Sequence, residues 1–518
     1  MKCLFGFLAA LAWFSFLISW SLFVDPDAFY HARLSLLLWE HGPFYAFPWL
    51  DLTTLGSSWA DHHFLFHAIE APFVAWLGWA TGARVVTVFL SAVFLLVFSE
   101  CLRRLGVKRT LPWIVLLAAT SPMIVRLLLA KASPLALLLF VAGVTAVWTH
   151  RRAAAFWIAI LAALAHGGGV YLLCASVLLC FGDLLHRHIV DGLSWRAAFQ
   201  ACLWKEVVAV GAGIAFGLLL HPNFPEILSF LWTQVVSIGV ATPFEHVILG
   251  QEWQPSGLAS FISTFVLWGV AALVGICGIF FASKKPLDRD AARAVTTFTW
   301  LVAAFVALTF KSRRNAEYLT PVLAIWIPLI WSLVDPGALL RFFYPAKNAK
   351  AGPVAPIILL LLFTAFIQGP LEAREILHTP GYSDDSYAAA MKPVSERAMP
   401  GDRMFHSDWD EFPILWNLDD RLKYIAGLDP TFLYKASSTL SDAYRDLTWG
   451  ATTPTRDQAW DVIHERLESR FIFIAKRDHQ ILLDVIKSDP RYTLLADTPD
   501  AASFEVLQPT TYDLQPPP

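Results

Sequence analysis

The sequence predicts an α-helical polytopic membrane protein with about eleven transmembrane helices, followed by a C-terminal extracytoplasmic α/β domain. The composition points to lipid, because the 518-residue chain is 56% hydrophobic and only 16% charged, whereas an ordinary soluble domain is about 25% charged. Long apolar runs recur up to residue 370, and the segment beyond them is richer in charged residues and turns. The net charge of −3, without a basic block, argues against binding to nucleic acid.

The apolar runs begin at the N-terminus, where Lys2 precedes a stretch long enough to cross a bilayer of about 30 Å. A signal peptide would have a shorter apolar core and a small-residue cleavage site, so we expect an uncleaved first helix. The eleven runs that suit spanning helices lie near residues 4–24, 83–100, 111–126, 133–149, 154–166, 168–182, 205–220, 258–282, 293–310, 315–334 and 354–370.

A further apolar run at residues 64–80 decides the topology, because every later loop changes sides if this run spans the membrane. Cytoplasmic loops carry the excess of Lys and Arg. If residues 64–80 lie on or dip into the outer face, basic residues such as Arg103, Arg152 and Arg293 collect inside and few lie outside. The opposite assignment reverses this imbalance. We therefore expect eleven spans in the cell (inner or plasma) membrane, with the long C-terminal segment outside.

This topology divides the chain into a transmembrane domain, residues 1–370, and an extracytoplasmic domain, residues 371–518. The transmembrane domain has two large outward loops, residues 25–82 and 221–257. In the tail, short apolar segments alternate with amphipathic ones, which predicts a compact α/β fold. A helix near 456–468 begins with the capping-box pair Thr455 and Gln458. The predicted strands are Arg403–His406, Leu422–Ala426, Phe471–Ala475, Tyr492–Ala496 and Ser503–Leu507.

The first outward loop contains an unusual set of polar residues next to the membrane. Asp25 and Asp27 follow the first helix. Near the other end of the loop lie Asp61, His62, His63 and His67. Charged groups beside lipid are costly, which favours a functional use for them. Alternatives stay open: Asp25 could be a solvated helix end, Asp27 could cap the surface helix that follows, and the histidines could bind a metal or make ordinary interfacial hydrogen bonds.

The segment from Asp27 to Arg33, directly after the first helix, resembles the first acidic motif of the catalytic subunit of oligosaccharyltransferases. These enzymes belong to the C-type (GT-C) superfamily of membrane glycosyltransferases. Further segments resemble later motifs of the family in order and sidedness, namely residues 241–246, 311–321 and 407–412. The resemblance implies a GT-C-like fold and transfer of a sugar or oligosaccharide from a polyprenyl-phosphate or polyprenyl-pyrophosphate donor at the outer face.

The resemblance, taken with the residue types, implies roles for individual side chains. Asp27 would be the catalytic carboxylate and general base, with Asp25 or Asp61 as its helper. Basic residues would neutralise the donor phosphate, although the 311–314 run could also be a solvated or snorkelling helix end. The candidate phosphate-binding residues are Arg126, Lys131, Arg313 and Arg314. The candidate acceptor-binding residues are Glu245, Trp409 and Asp410.

The chain departs from the family where its second acidic motif is expected, between residues 121 and 134. That segment holds Arg126 and Lys131 but no Asp or Glu. A divalent cation, Mg²⁺ or Mn²⁺, would therefore lack part of its ligand set. Its possible ligands are Asp27, Asp61, His62 and His63. Arg126 or Lys131 could instead neutralise phosphate directly.

The partners implied are a lipid-linked sugar donor, a protein or glycan acceptor, and membrane lipids. Two other classes of function stay open. A transporter or flippase of lipid-linked glycan intermediates would have a similar helix count, but it would place polar residues near the middle of the membrane and often shows internal repeats. A non-catalytic membrane assembly or sensor protein would leave Asp27 dispensable.

Overall fold

The structure is a computed structural model, and it describes residues 2–19, 21–241, 247–282, 288–335, 354–378, 381–450 and 452–507. A helix lies at each of the eleven predicted apolar runs. In chain order the helices are α1 Lys2–Ile18, α2 Asp27–His41, α3 Thr54–Ser57, α4 Phe64–Leu77, α5 Trp79–Arg104, α6 Leu111–Ala119, α7 Ser121–Leu128, α8 Ser133–Trp148, α9 Arg152–Ala165, α10 Gly169–Ile189, α11 Trp195–Ala201, α12 Trp204–Leu219, α13 Glu226–Trp232, α14 Leu258–Ala282, α15 Arg289–Lys311, α16 Ala316–Ser332, α17 Val354–His378, α18 Ala388–Arg397, α19 Phe412–Leu418, α20 Thr431–Ala436, α21 Ser438–Trp449, α22 Arg456–Trp460 and α23 Gln480–Lys487.

Several of these helices could cross a membrane by length and composition. Among the described residues, α5, α10, α14 and α15 are each long and apolar enough. Two bent pairs, α6 with α7 and α11 with α12, could each form one more span, with bends of 73° and 49°. The described chain therefore provides four to six helices with the character of a span, together with shorter apolar helices. The count of eleven spans stays a prediction.

The first helix is shorter than predicted, because α1 ends at Ile18 and does not continue to Val24. After this helix the chain is extended at Phe23, which forms an antiparallel β-bridge with Tyr382 at the start of the tail. The N–H of Phe23 donates to the carbonyl of Tyr382 at 2.8 Å, and the reverse bond is 2.7 Å. Tertiary pairing therefore satisfies this backbone in place of the helix. At the other end of the domain, α17 continues past the predicted boundary at 370 to His378.

The ambiguous run at 64–80 forms a helical hairpin. Between α4 and α5 stands Gly78, whose φ of +80° lies in the left-handed region that glycine adopts without strain. The two helices then pack closely, since a Cβ on Gly82 would lie 2.6 Å from the backbone of Phe73. With 14 residues, α4 is about 21 Å long at 1.5 Å per residue. This is shorter than a bilayer core of about 30 Å, as is α9, which has the same number of residues.

The tail is an α/β domain built on a five-stranded sheet with the order β2-β1-β3-β5-β4. The strands are β1 Arg403–His406, β2 Lys423–Tyr424, β3 Phe471–Ala475, β4 Tyr492–Asp497 and β5 Ala501–Val506. β1 runs parallel to β2 and β3, whereas β5 runs antiparallel to β3 and β4. All five predicted strands are present, but the one predicted at 422–426 is only two residues long. The predicted capping box of α22 forms, with Thr455 and Gln458 exchanging bonds of 2.8 and 3.2 Å.

The tail docks on the first outward loop through a shared apolar cluster. Alternate residues of β3 face opposite ways: Phe471 and Phe473 join loop residues such as Tyr30 in one buried cluster, while Ile472 and Ile474 belong to another inside the tail. Ion pairs frame the contact, namely Arg33 with Asp420, Arg403 with Asp51 and Lys423 with Asp51. Burial of β3 on both faces explains its unbroken apolar sequence.

Two buried carboxylates join helix ends on the side of the helical domain away from the tail. Glu206 at the start of α12 pairs with Arg152 at the start of α9 at 2.9 Å. Asp183 in α10 lies 3.1 Å from both Arg187 and Arg293. Since buried charges require partners, these pairs fix the relative positions of the helices. The opposite ends of α9, α10 and α15 lead into the candidate site.

Candidate functional site

Two carboxylates and an ammonium group meet where the first outward loop begins. Lys131 Nζ lies 2.6 Å from Asp25 Oδ2 and 2.7 Å from Asp27 Oδ2. Lys131 follows Ala130, whose φ of +54° marks the tight turn between α7 and α8. The alternative that Asp27 caps α2 is wrong, because Asp27 is already the first helical residue. The carboxylate of Asp25 accepts the N–H of Asp27 at 3.0 Å, and Pro26 is the N-cap residue of the helix.

A second group of charges lies at the ends of α7, α15 and α16. Arg126 donates through Nε to Glu317 at 2.5 Å and through Nη2 to Glu252 at 2.9 Å. The other oxygen of Glu252 accepts from Arg314 Nη1 at 2.9 Å, and the Arg314 guanidinium lies 5.0 Å from the centre of the Trp253 ring. Segments that are 191 residues apart therefore converge.

We call the two groups together the ionic cluster. Its members are Asp25, Asp27, Arg126, Lys131, Glu252, Arg314 and Glu317. The two groups are close enough to act on each other, since Glu252 contributes to the titration of both Asp27 and Lys131. Three cations therefore face four carboxylates at one end of the helical domain.

Burial and charge act against each other inside the ionic cluster. Burial raises the pKa of Asp27 above its ordinary value, and Lys131 opposes that change. The Asp27 side chain nevertheless keeps 35% of its surface exposed, so solvent reaches it. Burial lowers the pKa of Lys131, but the negative charges of Asp25 and Asp27 outweigh burial and raise this pKa above its ordinary value. Burial raises the pKa of Glu252, but the attraction of Arg314 and Arg126 outweighs burial. The pKa therefore lies below its ordinary value, and the group stays ionised.

The tail reaches the ionic cluster through a short 3₁₀ turn that contains Trp409 and Asp410. Trp409 packs on the second outward loop, where a Cβ on Gly250 would lie 3.8 Å from its ring. The pKa of Asp410 is raised to about 7, first by burial, then by Asp408, and then by Asp25 and its neighbour Asp27. This repulsion shows that Asp410 of the tail is electrostatically close to the carboxylates beside Lys131.

A row of polar side chains lies between α2 and α4. Both carboxylate oxygens of Asp61 lie 2.8 Å from Nδ1 of His67. On the other side of this ring, Nε2 lies 2.7 Å from Nδ1 of His31. Burial raises the pKa of Asp61, but the attraction and hydrogen bond of His67 outweigh burial and lower this pKa below its ordinary value. Since His31 is four residues after Asp27 on α2, the row lies one helical turn from the ionic cluster.

The four possible ligands of a divalent cation do not form one group. Asp27 faces Lys131, and Asp61 lies behind His67. His62 packs on Phe230, with ring centres 4.7 Å apart. Among the described residues, a set of ligand atoms within 4.8 Å of one another is formed instead by His31, His63 and His67.

Residues 166–169 form a tight turn between two helices. α9 ends at Ala165, and α10 begins at Gly169. The N–H of Gly168 donates to Nδ1 of His166 at 2.6 Å. This N–H is therefore already satisfied inside the turn, which favours a helix connection over a phosphate cradle.

The remaining sequence candidates divide into those near the ionic cluster and those outside it. Arg313 is turned away, with its Nε donating to the carbonyl of Pro255 at 3.3 Å. Glu245 lies outside the described residues. The sequence also shows the acidic residues Glu252 and Glu317, but their pairing with arginines carries no local signature.

Comparison with known proteins adds no assignment. No protein-family model matches the chain, and no curated protein matches it either. The case for a function therefore rests on the ionic cluster, on the tail beside it and on the sequence motifs.

Proposed function

We propose that this chain is an integral-membrane glycosyltransferase of the GT-C type. It transfers a sugar or oligosaccharide from a polyprenyl-phosphate or polyprenyl-pyrophosphate donor to an acceptor at the outer face of the cell membrane. In this proposal the helical region crosses the membrane eleven times and the tail lies outside. The observation that carries the proposal is the ionic cluster, which lies at helix ends beneath the tail. A lipid-anchored phosphate and a water-borne acceptor can meet there.

The distribution of charge along the helices supports the proposed orientation. Arg152, Arg187 and Arg293 lie at the helix ends remote from the ionic cluster. They belong to the loops in which the sequence places most Lys and Arg, as expected for cytoplasmic loops. The ionic cluster adds only Arg126, Lys131 and Arg314 to the other side, and the rule counts Lys and Arg rather than net charge.

Asp27 is the proposed general base. The acceptor hydroxyl or amide gives its proton to the Asp27 carboxylate while its oxygen or nitrogen forms a bond to the anomeric carbon of the donor. The bond between that carbon and the phosphate oxygen breaks, and its electron pair leaves with the lipid phosphate. A raised pKa favours this role, because a base works best when its pKa approaches the working pH. Lys131 holds the carboxylate in position and opposes the rise that burial causes in its pKa.

Arg126 and Arg314 are the proposed ligands of the leaving phosphate. Both donate to the carboxylate of Glu252, at 2.9 Å each. A carboxylate and a phosphate accept the same charge-assisted N–H bonds, so Glu252 occupies the place that a phosphate oxygen would take. We expect the donor to displace Glu252 from one or both arginines. The two guanidinium groups then stabilise the negative charge that develops on the leaving group.

The Mg²⁺ or Mn²⁺ that the resemblance implies does not fit this set of residues. The ammonium of Lys131 lies 2.6 Å from Asp25 and 2.7 Å from Asp27, where it would repel a dication bound between them. The segment from 121 to 134 offers no carboxylate as a further ligand. The proposed mechanism therefore contains no metal-dependent step, and Lys131 supplies the positive charge beside Asp27.

The test is a transfer assay with the full-length protein in lipid nanodiscs. Radiolabelled hexoses linked to polyprenyl phosphate or pyrophosphate are offered with a panel of peptide, glycolipid and polysaccharide acceptors. We expect transfer by the wild-type protein and a loss of about 10²–10⁴ in rate for Asp27→Asn, which removes the base but keeps its shape. The bond to Asp25 uses only the backbone N–H of residue 27, so it remains in this variant and the fold should persist.

The matched control is Asp442→Asn, an isosteric change at an exposed carboxylate of the tail that pairs with Arg445. It should transfer sugar at the wild-type rate. Full activity of a folded Asp27→Asn protein would remove Asp27 from the mechanism. If the labelled donor instead crosses the bilayer of a proteoliposome and no acceptor is labelled, the chain is a flippase and the transferase proposal is wrong.

A further inference from the structure

We propose that His31, His63 and His67 bind a divalent metal ion of the Zn²⁺ type. All three side chains are buried, and one ligand atom from each lies within 4.8 Å of the others. The site belongs to the first outward loop and is distinct from the Asp27 carboxylate. It does not depend on the proposed function.

The spacing of the three residues suits a common metal-binding arrangement. His63 and His67 are four residues apart, and the N–H of His67 donates to the carbonyl of His63 at 3.0 Å. Residues with this helical spacing project from the same face. The third histidine, His31, comes from α2, which packs against α4 and presents its ring centre 5.0 Å from each of the other two. Two ligands from one helix and one from a neighbour can therefore enclose a single ion.

Asp61 gives His67 the outer partner that metal-bound histidines usually have. Its two oxygens both lie 2.8 Å from His67 Nδ1, so Nδ1 carries the proton and Nε2 presents its lone pair. A carboxylate behind a histidine fixes the ring and makes it a better ligand. The backbone of Asp61 is itself held, because its N–H donates to Asn223 and its carbonyl accepts from His221 at 3.1 Å each.

The hydrogen bonding around His63 is incomplete without a further group. Its Nδ1 is buried and has no hydrogen-bonding partner in the part of the chain that the structure describes. A buried polar nitrogen without a partner costs about 1–3 kcal/mol, and a metal ion would satisfy it. The facing nitrogens of His31 and His67 are 2.7 Å apart. Tetrahedral bonds of about 2.0–2.1 Å to zinc separate ligand nitrogens by roughly 3.3 Å. The His31 and His67 nitrogens would therefore move slightly apart, and the ligand atoms that are now up to 4.8 Å apart would move closer.

The chemistry of the ligands selects the class of metal. Neutral imidazoles suit Zn²⁺, Cu²⁺ and Ni²⁺, whereas Mg²⁺ and Ca²⁺ prefer oxygen ligands. Zn²⁺ fits a set of three histidines completed by water. Bound there, it ties α2 to α4 and so fixes the helix on which Asp27 lies one turn before His31.

The test measures metal in the full-length protein, purified with an affinity tag that contains no histidine. We expect about one zinc per chain by elemental mass spectrometry, and at least a fivefold lower content in His63→Ala. His464→Ala is the matched control, because this residue lies in the tail and stacks on Trp460. It should keep the wild-type content. Gel filtration and thermal unfolding check that each variant is folded.

Cobalt gives a second readout that does not depend on the metal carried through purification. After chelation, added Co²⁺ should produce the visible absorption of a tetrahedral site in the wild-type protein but not in His63→Ala. His63→Cys should restore binding and add a sulfur-to-cobalt charge-transfer band. A wild-type protein with neither bound zinc nor a cobalt spectrum would overturn the proposal, and so would a folded His63→Ala protein that keeps its metal. The row from Asp61 to His31 is then a chain of hydrogen bonds alone.

Discussion

Neighbouring residues of the same type take different positions in this molecule. Arg314 lies inside the ionic cluster, bonded to Glu252 and stacked over Trp253. Arg313 is bonded to the backbone of the second outward loop, at Gln254 and Pro255. The 3₁₀ turn between α15 and α16 points the two side chains in different directions. The run of basic residues at 311–314 does not by itself predict this difference.

This difference predicts unequal roles in donor binding. Arg314→Gln should raise the dissociation constant for a polyprenyl-phosphate sugar about 10- to 100-fold, because a charge-assisted bond contributes about 1.5–3 kcal/mol. Arg313→Gln is the matched control and should change it less than about twofold, as expected for an exposed charge. Binding to protein in nanodiscs provides the measurement. Equal losses in the two variants would place both arginines, or neither, on the phosphate.

The charged residues of the site could be recognised from the sequence, but their partners could not. Asp25, Asp27 and Lys131 stand out because charge is rare beside apolar runs. That Lys131 lies between the two carboxylates depends on the turn after α7 meeting the start of α2, a contact between residues more than 100 positions apart. The sequence predicts Lys131 as a phosphate ligand, whereas in the structure its ammonium group contacts Asp25 and Asp27.

At the scale of elements, hydropathy located the helices and missed some of their ends. Every predicted apolar run contains a helix. An apolar segment that lies in lipid or in a protein core has no water for its backbone N–H and C=O groups, and a helix pairs these groups within the segment. The predicted end of α1 at residue 24 was wrong, because the apolar residues after Ile18 suit an extended segment equally well. In the tail, β3 could be predicted in full because both of its faces are buried.

Close helix packing gives a prediction at this scale. In α12 a Cβ on Gly213 would lie 2.4 Å from the carbonyl oxygen of Phe156 in α9, whereas a Cβ on Gly211 would lie 3.9 Å from its nearest neighbour. Gly213→Ala should lower the melting temperature in detergent, since overpacking costs about 1–3 kcal/mol. Gly211→Ala on the same helix should leave it unchanged or raise it, because alanine favours the helix. Equal melting temperatures would mean that α9 and α12 do not pack so closely.

At the scale of the whole molecule, two sides can be distinguished by their charges. One side holds the ionic cluster and the tail, and the other holds the carboxylates Asp183 and Glu206 with their arginines. The exposed turn after α5, which contains Lys108, lies on the second side by chain order. The positive-inside rule predicts that this side faces the cytoplasm.

The orientation can be tested with single cysteines in a background without native cysteine. A membrane-impermeant thiol reagent added to intact cells should label Asp385→Cys in the tail and leave Lys108→Cys unlabelled. Permeabilised cells should show both labelled, which confirms that each site is reactive. Labelling of both positions in intact cells, or of Lys108→Cys alone, would contradict the eleven-span topology with an outer tail.

The backbone pairing of Phe23 with Tyr382 has a consequence for the order in which a ribosome completes this molecule. At a synthesis rate of about 5–20 residues per second, the two partners, roughly 360 residues apart, are made about 20–70 s apart. Asp25, Asp27 and Lys131 are all translated early in that interval, so their ion pairs can form while nothing yet covers them. The nascent chain therefore carries these charged groups uncovered until translation has passed Tyr382 and then the turn with Trp409 and Asp410, through which the tail reaches the ionic cluster.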